Sequence, residues 1–466
     1  MRESELGVAQ LADLIARREL SPLEVAKASI ARFEETEPLL NAFISLDRDR
    51  VLADAARLDG EARRGEVRGP LHGVPIAVKD NICTRAERTT AGSVVYGAHV
   101  PDRDATVVER LRSAGALIFG KTNLPEFAYG PADAYHYGPT RNPWDPDRYA
   151  GGSSMGSGAA VAAGVVAGAL GTDTTGSIRN PATWCGVVGF KPSYGLVPLR
   201  GVLPLATSFD HVGPLARSAE DCASILSVIA GVDHADPTSE AFPRVDYVAQ
   251  LGRPIAGLRV GVVPQLWEAL GPSVSRPLCR ALQDLRQLGI DLVGVDIGYW
   301  DAVVEAGAVL VECEAAVEYR TIVEQSGSRL LPEVEGRLRA GLATPAPALV
   351  DALRVARMFR HQYRNAMRDV DLLVLPGHER TAPRIDPSGR RLDPSTTLRM
   401  VMPMNVVGAP AVTMPAGVVD GLPISLLLAG GIGSEALLLA VASAFQRITD
   451  WHRRRPPRLT NTTEKE

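Results

Sequence analysis

The spacing of apolar residues along this chain changes repeatedly between the period of a helix and the short continuous runs of a buried strand. Near the start, Ser21-Pro-Leu-Glu24 has the residues of a helix N-cap with a capping box, and apolar residues follow at helical spacing. The run Gly73-Val-Pro-Ile-Ala-Val78 is short and apolar, which predicts a buried strand that ends beside Lys79. Residues 105–114 again predict a helix, and residues 116–119 predict a strand.

The same alternation continues in the second half of the chain. Apolar residues predict a strand over 258–263, a helix over 277–288 and a strand over 290–295. A helix over 349–370 and a strand over 371–375 follow. Strands that alternate with helices in this way are typical of an α/β fold, and we expect that class here.

The most apolar run of the chain, residues 158–170, is too short to be a membrane span. Residues 158–170 are far fewer than the about 20 residues that a helix needs to cross a bilayer. Their high Gly and Ala content predicts a helix packed tightly inside the protein. The early acidic residues Glu3 and Glu5 do not fit a secretion signal, so we expect a cytoplasmic chain with no membrane partner.

Composition narrows the function classes further. The chain has 466 residues, of which 45% are hydrophobic and 22% charged, an ordinary balance for a globular protein. Its net charge of −4 gives no reason to expect a nucleic acid partner. The five cysteines are dispersed without a Cys-x-x-Cys motif, which favours free thiols in a reducing compartment and predicts no metal site.

Two glycine-rich turns with hydroxyl side chains carry the candidate chemistry. They are Ala-Gly-Gly-Ser-Ser-Met-Gly-Ser-Gly at 150–158 and Gly-Thr-Asp-Thr-Thr-Gly-Ser-Ile-Arg-Asn-Pro-Ala at 171–182. Glycine lets backbone N–H groups come close to a ligand, and serine supplies a nucleophile. Together with the upstream Lys79, the two turns indicate nucleophilic catalysis.

These turns, with other motifs in order along the chain, resemble the amidase signature family of serine hydrolases, which use a Ser–Ser–Lys triad. Besides the two turns, the resemblance is carried by Gly73–Ile82, Thr89–Ser93, Gly120–Ala128, Gly138–Trp144, Gly186–Pro192 and Gly408–Gly417. It implies a large, twisted, mixed β-sheet surrounded by helices. Because the motifs reach both ends of the chain, we expect a single amidase domain over residues 1–466, with a variable, substrate-facing part at about 235–390.

Carried over position by position, the resemblance gives each member of the triad a role. Ser177 matches the nucleophile, Ser153 matches the bridging serine on a cis peptide bond, and Lys79 matches the base. A free lysine has a pKa of about 10.4 and is protonated at neutral pH, so Lys79 needs a pKa that burial has lowered. We therefore expect cofactor-free hydrolysis of a carboxylic amide C–N bond through a Ser177 acyl-enzyme, with a neutral-to-alkaline activity profile.

The resemblance also implies an oxyanion hole, formed by the backbone N–H groups of Thr174, Thr175, Gly176 and Ser177. Thr175 stands where the family most often has glycine, and Met155 does so in the first turn. A side chain at position 175 restricts φ, which bears on the fine geometry of the oxyanion hole although the backbone donors remain. Met155 is expected to reshape the wall of the substrate pocket.

Other substrate-binding candidates are Tyr129, Trp184 and Arg179. Arg179 could bind a substrate carboxylate, although a structural ion pair with Asp173 is the favoured alternative. His211 also lies in a family motif, and for this residue hydrogen-bonded scaffolding is favoured over catalysis.

Two alternative motifs compete with this interpretation. Gly152-Ser-Ser-Met-Gly156 formally fits the nucleophile elbow of α/β-hydrolases, with Ser154 as the nucleophile, but residues 142–148 cannot form the strand that must precede an elbow. A phosphate-binding loop is also a poor match, because Ser157 follows the glycines where Gly-Lys-Ser/Thr is needed.

Three functional alternatives remain open. The favoured one is a stand-alone amidase for a small-molecule amide, with aryl amides, carbamates (urethanase activity), ureas and esters also within the range of the family. The same family contains the amidase subunit of glutamyl-tRNA amidotransferase, although residues 393–400 lack the acidic pattern expected there for glutamine recognition. A non-catalytic binding protein is the third alternative. The resemblance suggests a homodimer, and the sequence does not choose among the substrates.

Overall fold

The computed structural model describes residues 5–129, 135–326, 329–385 and 398–459. The strands in these residues are β1 (Phe43–Ser45), β2 (Pro75–Lys79), β3 (Leu117–Thr122), β4 (Gly168–Thr172), β5 (Val188–Lys191), β6 (Val212–Ala216), β7 (Arg259–Val262), β8 (Asp291–Gly294), β9 (Leu372–Pro376), β10 (Ala411–Val419) and β11 (Leu422–Gly430).

The α-helices of the N-terminal half are α1 (Val8–Ala16), α2 (Pro22–Leu40), α3 (Arg48–Arg63), α4 (Thr106–Ser113), α5 (Met155–Ala162), α6 (Arg179–Cys185) and α7 (Ala219–Ile229). Those of the C-terminal half are α8 (Pro264–Glu268), α9 (Pro272–Gln287), α10 (Trp300–Glu318), α11 (Arg320–Ser326), α12 (Pro332–Leu342), α13 (Ala346–Ala366), α14 (Met402–Val407) and α15 (Glu435–Ile448). Among the described residues, no helix combines the length and apolar character needed to cross a membrane.

Eleven strands of the described chain form one sheet in the order β1-β3-β2-β4-β6-β5-β10-β11-β9-β7-β8. Strand β2 pairs in parallel with β3 and β4, and β7 pairs in parallel with β8 and β9. The other pairs are antiparallel. The predicted α/β class, with a large mixed sheet surrounded by helices, is therefore confirmed.

Several local predictions are also confirmed. Ser21 caps α2 through a capping box, since its Oγ accepts from the N–H of Glu24 at 3.1 Å and its own N–H donates to the Glu24 carboxylate at 2.9 Å. The predicted strand at 73–78 is β2, and the predicted helix at 105–114 is α4. All five cysteines are free, as expected.

The prediction of one helix over residues 158–170 is wrong. Helix α5 ends at Ala162, and strand β4 begins at Gly168. Gly164 has a φ of +75°, a left-handed conformation that ends helices and that glycine adopts without steric cost. The β-branched pair Val165-Val166 then leads into the strand. Gly and Ala gave no usable period, so the sequence pattern did not reveal this break.

The two faces of the sheet carry different apolar clusters. The first apolar cluster lies on one face and contains Val78 and Leu426, with helices α1, α4, α7, α9 and α15. On the opposite face, the second apolar cluster contains Leu427 with α10, α12, α13 and α14. The third apolar cluster contains Ala77 with α2, α3, α5 and α6, also on that opposite face because Ala77 and Val78 point in opposite directions. Helices α5 and α6 lie at the middle of the sheet.

Candidate active site

Lys79 is the last residue of β2, and the alternation of side chains along this strand decides where its amine lies. Val78 packs in the first apolar cluster, whereas Ala77 packs in the third cluster on the other face. Because strand side chains alternate, Lys79 shares the face of Ala77. Its Nζ lies there 2.7 Å from Ser153 Oγ and 2.7 Å from Thr172 Oγ1, within hydrogen-bond distance of both.

The Lys79 amine is fully buried, and burial changes its acidity. Loss of water contact lowers the pKa of Lys79 to about 7, against the opposing effect of the nearby carboxylates of Asp173 and Asp210. A large share of the amine is therefore uncharged at neutral pH. An uncharged amine can accept a proton from a neighbouring hydroxyl, which a protonated lysine cannot do.

Ser153 and Ser177 come together where the two glycine-rich turns meet. The Gly152–Ser153 peptide bond is cis, as the family resemblance implies. The backbone N–H of Ser154 donates to the carbonyl oxygen of Ser177 at 3.0 Å, which holds the two turns side by side. Both Ser153 and Ser177 are nearly buried, with 5% and 7% of their surfaces exposed.

The neighbouring Ser154 has a different environment. Its hydroxyl donates to the carbonyl oxygen of Thr172 at 3.0 Å and accepts from the Thr172 N–H at 3.2 Å. The described residues before it form two isolated bridges, Arg141 with Tyr149 and Arg148 with Arg384, and no strand. The nucleophile-elbow alternative for Ser154 therefore lacks the strand that it requires.

The loop from residue 173 to 178 is folded around the carboxylate of Asp173. The two carboxylate oxygens accept from the N–H groups of Gly176 (2.8 Å) and Ile178 (3.1 Å), from Asn405 Nδ2 (2.8 Å) and twice from Arg179 (2.9 and 3.0 Å). Burial alone would raise the pKa of Asp173, but the Arg179 guanidinium holds it far below its usual range. Asp173 therefore stays ionised and fixes the backbone of this loop.

One of the four N–H groups expected to form the oxyanion hole already has an acceptor within this loop. The N–H of Gly176 already donates to Asp173 Oδ1, so it is not free to meet an oxyanion. No acceptor within the described chain is found for the N–H groups of Thr174, Thr175 and Ser177. The positive φ of the loop falls on Gly176, at +113°, and not on Thr175. The threonine at position 175 is thus accommodated without a left-handed backbone.

Thr174 is held from the opposite side by a second carboxylate. Its Oγ1 donates to Asp210 Oδ1 at 2.5 Å, while Asp210 Oδ2 accepts from the N–H groups of Leu205 and Ala206 at 2.8 and 3.1 Å. Burial raises the pKa of Asp210 to about 6 despite these hydrogen bonds. Asp173 and Asp210 together define the shape of the loop that precedes Ser177.

Arg179 lies beneath the loop and is fully buried. Besides its two bonds to Asp173, its Nη1 donates to the carbonyl oxygen of Val401 at 2.8 Å and its Nη2 to Asn405 Oδ1 at 2.6 Å. The ion pair with Asp173, favoured from the sequence, is therefore present. The guanidinium is committed to the protein interior, so carboxylate binding by Arg179 has no support in this geometry.

The other candidate pocket residues lie in three separate places. Tyr129 is buried with its hydroxyl unpartnered in the described chain, and the Arg337 guanidinium lies 3.9 Å from the centre of its ring. Met155 begins α5 and packs in the third apolar cluster. Trp184 is on α6, where its ring centre lies 5.0 Å from that of His378.

His211 is a scaffold residue in this structure. Its Nδ1 lies 2.6 Å from the carbonyl oxygen of Phe209 and 3.1 Å from that of Asp173, and its Nε2 lies 3.2 Å from Lys191 Nζ. Burial lowers the pKa values of His211 and Lys191 well below their usual ranges, so the ring is neutral. The described chain holds no group of three or more His, Cys, Asp or Glu side chains that could bind a metal ion.

Three residues of the site were not singled out from the sequence. Thr172 contacts the Lys79 amine, Asp210 contacts the oxyanion loop, and Asn405 contacts Asp173. Thr172 lies inside the second glycine-rich turn, and Asp210 directly precedes His211, so both had a signal in the motifs. Asn405 had none, because it is distant along the chain.

A comparison with protein-family models matches residues 24–439 to the family described as Amidase. Among curated proteins, the chain is similar to a subunit of the glutamyl-tRNA(Gln) amidotransferase from Chloroflexus aggregans. The two are 39% identical over 472 residues, covering 95% of this chain and 96% of that protein.

The chain is also similar in fold to solved structures over nearly its whole length. A structure from a vestigial protein complex, described as revealing the origins of an s-triazine catabolic enzyme, aligns with a TM-score of 0.88 at 34% identity, covering 95% of this chain and 98% of that one. The peptide amidase PAM, in complex with the inhibitor chymostatin, aligns with a TM-score of 0.85 at 33% identity, covering 97% of this chain and 98% of that one.

Proposed function

Since this chain belongs to the amidase signature family, we propose that it hydrolyses a carboxylic amide C–N bond through an acyl-enzyme on Ser177. The observation that carries this proposal is the buried, largely uncharged Lys79 amine 2.7 Å from Ser153 Oγ. In the first step Lys79 takes the proton of Ser153, which takes that of Ser177. The Ser177 oxygen then attacks the amide carbon.

The tetrahedral oxyanion formed in this step meets backbone donors of the loop that precedes Ser177. The unpartnered N–H groups of Thr174, Thr175 and Ser177 are the candidates, and one such donor is typically worth about 3 to 4 kcal/mol. The C–N bond breaks as the relayed proton passes to the leaving nitrogen, and the amine departs. Water, activated through the same relay, then releases the carboxylic acid from Ser177.

The test of this chemistry is covalent labelling with a fluorophosphonate, followed by peptide mass spectrometry. We expect a single label on Ser177, and we expect Lys79→Ala to abolish it because the relay then has no base. A labelled Lys79→Ala variant, with unchanged circular dichroism, would refute the relay. The absence of any label on the native chain would favour a non-catalytic binding protein.

We further propose a stand-alone enzyme with a single domain and a substrate-facing part at about 235–390. Strands from residues 43 to 430 in one sheet support the single domain. A panel of p-nitroanilides, aryl carbamates and esters of graded acyl size would place the substrate class. Turnover of at least one by the purified chain alone is the expected result.

The second candidate function is the amidase subunit of an amidotransferase, and the name of the Chloroflexus aggregans relative supports it. The stretch 393–400 bears on this choice, although 393–397 lie outside the described residues. Of the rest, Leu398 and Met400 are apolar, and Arg399 pairs with Asp301 at 2.6 Å. Residues 398–400 have no carboxylate that could receive the ammonium group of glutamine, and the stand-alone proposal rests on this sequence feature, whereas the names of the relatives support the amidotransferase subunit better.

Activity assays of the purified chain, without and then with partner chains, distinguish the two candidate functions. A stand-alone amidase hydrolyses simple amides without a partner and shows no preference for glutamine. An amidotransferase subunit is inert on simple amides alone and gains glutaminase activity when its partner chains are added. The second outcome would replace the first proposal while leaving the Ser177 chemistry intact.

A further inference from the structure

Helix α6 follows the nucleophile and packs on two sides against the protein. Ala182 faces β5, because its Cβ lies 2.6 Å from where a Cβ on Gly189 would stand. Cys185 faces α5, where its Sγ lies 3.4 Å from the equivalent position on Gly158. These two contacts define two faces of this short helix, which also packs against β10 and β11.

The third face carries Asn180, Thr183 and Trp184, whose spacing of three and four residues aligns them. The N–H of Asn180 donates to the carbonyl oxygen of Gly176 at 2.8 Å, so the helical pattern reaches back past Ser177. The nucleophile therefore lies on the same face, one turn before Asn180.

Polar atoms on this third face are buried without partners. Asn180 Oδ1, Thr183 Oγ1 and Trp184 Nε1 have no hydrogen bond in the described chain, and each residue is more than nine-tenths buried. His378, which follows β9, adds an unpartnered Nε2 against the Trp184 ring. We call these four side chains the polar strip. Buried unpartnered polar atoms are uncommon because each costs stability, and three on one helix with a fourth beside the Trp184 ring are the observation from which we argue a binding role.

The atoms of the polar strip define the chemistry of a ligand. Trp184 Nε1 is a donor only, and the Asn180 amide and Thr183 hydroxyl can accept. His378 Nδ1 accepts from the N–H of Arg380 at 3.3 Å, so the proton of the neutral ring is assigned to Nε2. Burial lowers the pKa of His378 to about 3, which keeps the ring neutral. A ligand group that both accepts and donates hydrogen bonds matches this set.

The side chains of the polar strip are neutral, which favours a neutral polar group over a simple anion, although Arg380 lies close enough to His378 to influence its pKa. Arg179 is the only charged side chain of α6, and its guanidinium is paired with Asp173. The polar strip itself therefore presents neutral donors and acceptors. Since a helix rises about 1.5 Å per residue, Asn180 and Trp184 stand about 5 to 10 Å beyond Ser177 along the axis.

We propose that the polar strip binds a neutral carboxamide or ureido group of the substrate, about 5 to 10 Å from the scissile bond. The proposal rests on the proposed function of Ser177 and names the class of its substrate: an amide with a second carboxamide or ureido group. Such a group accepts from Trp184 and His378 through its oxygen and donates to Asn180 or Thr183 through its nitrogen.

Three p-nitroanilides of equal acyl length test the proposal by catalysis: those of adipic acid monoamide, of 6-methylheptanoic acid and of adipic acid. They end in a carboxamide, an isosteric branched alkyl group and a carboxylate. We expect kcat/KM to be at least about tenfold higher for the carboxamide than for either of the others. Equal values, or a preference for the alkyl or carboxylate end, would overturn the proposal.

Two variants connect this preference to the polar strip. Trp184→Phe and Thr183→Val each remove one polar atom and keep most of the volume, and each should bring the carboxamide-to-alkyl ratio towards one. The matched control is Trp144→Phe, because Trp144 Nε1 has a partner, the carbonyl oxygen of Cys185 at 2.8 Å. This control should keep the native ratio. A ratio unchanged in Trp184→Phe would count against the strip.

Binding measurements separate this proposal from the catalytic one. The Ser177→Ala variant is titrated calorimetrically with the carboxamide and alkyl anilides, so no turnover is needed. We expect at least about tenfold tighter binding of the carboxamide compound, lost when Trp184→Phe is added. If the native chain hydrolyses no anilide but this difference in affinity is found, the proposed catalysis is refuted and carboxamide binding by the polar strip is supported. If the difference in affinity is absent, the proposed binding of a carboxamide by the polar strip is refuted.

Discussion

The backbone N–H of Ser154 donates to the carbonyl oxygen of Ser177 at 3.0 Å. This bond joins two turns that each supply a serine to the site. The adjacent hydroxyls nevertheless have different partners, since Ser153 meets the Lys79 amine and Ser154 bonds to the backbone of Thr172. We therefore expect the adjacent serines to have separable roles, Ser153 in the proposed relay and Ser154 in holding the loop.

Replacing Ser177 and Ser154 in turn tests this separation. Ser177→Ala should abolish fluorophosphonate labelling and lower kcat by at least about 10³-fold, because the nucleophile is gone. Ser154→Ala should keep the label and lower the free energy of unfolding by about 1 kcal/mol, because hydrogen bonds to the backbone are lost. Intact-protein mass spectrometry and urea unfolding measure the two effects. A label that disappears with Ser154 instead would restore the nucleophile elbow.

The pH dependence of catalysis follows from the pKa of Lys79. Burial lowers this pKa to about 7, and only the uncharged amine can accept a proton. The value of kcat/KM should therefore rise with pH through about 7 and level off above it, as the fraction of uncharged Lys79 grows. Steady-state rates in overlapping buffers measure the curve. A rate that peaks well below pH 6 is incompatible with Lys79 as the base.

The variant Asp210→Asn should move the rising part of the kcat/KM profile, here called the acid limb, to lower pH. The Asp210 carboxylate raises the pKa of Lys79, and the pKa of about 6 at Asp210 means that it is charged at pH 7. Asparagine removes the negative charge and keeps one oxygen to accept from the N–H groups of Leu205 and Ala206, while its amide nitrogen can donate to Thr174 Oγ1, so the pKa of Lys79 should fall.

Asp236→Asn is the matched control for this shift. Asp236 is another buried aspartate that accepts from backbone N–H groups, those of Leu199 and Arg200, but it has no described contact with Lys79. Its variant should leave the acid limb in place. If the acid limb of the Asp210→Asn variant is unchanged or lies at higher pH, Asp210 does not act on Lys79 through its charge.

Substitutions at neighbouring positions in the oxyanion loop should reduce stability to very different extents. Gly176 has a φ of +113°, and an added Cβ would collide with the Val401 side chain. Gly176→Ala should therefore cost about 2 to 3 kcal/mol or more of stability and most of the activity. Thr175→Gly should cost less than about 1 kcal/mol, since Thr175 has no positive φ. Urea unfolding checks both, and equal costs would contradict this account.

The sequence predicted those parts of the fold whose signal is local. The capping box at Ser21 and the apolar run before Lys79 each depend on a few adjacent residues, and both appear in the structure. Residues 158–170 were mispredicted because Gly and Ala have no hydrophobic period, so the break at Gly164 left no trace in the pattern. The order of strands in the sheet had no local signal either.

Within the site, residue roles came from motifs, whereas their surroundings depend on distant contacts. The engagement of the Gly176 N–H by Asp173 was missed because it belongs to a network completed by Asn405, far away in the chain. The pKa of Lys79 could be given a direction from its apolar neighbours. Its coupling to Asp210 required the folded arrangement, since no sequence pattern relates β2 to residue 210.

The position of Lys79 at the end of β2 has a consequence for engineering this chain. Side chains alternate along β2, so a slip of this strand by one residue against β4 would turn the amine away from Ser153 and towards the first apolar cluster on the other face of the sheet. Insertions in the segment before Pro75 are therefore harmless only if the loop absorbs them completely. The register of this five-residue strand therefore determines whether the Lys79 amine, the base of the proposed relay, reaches Ser153.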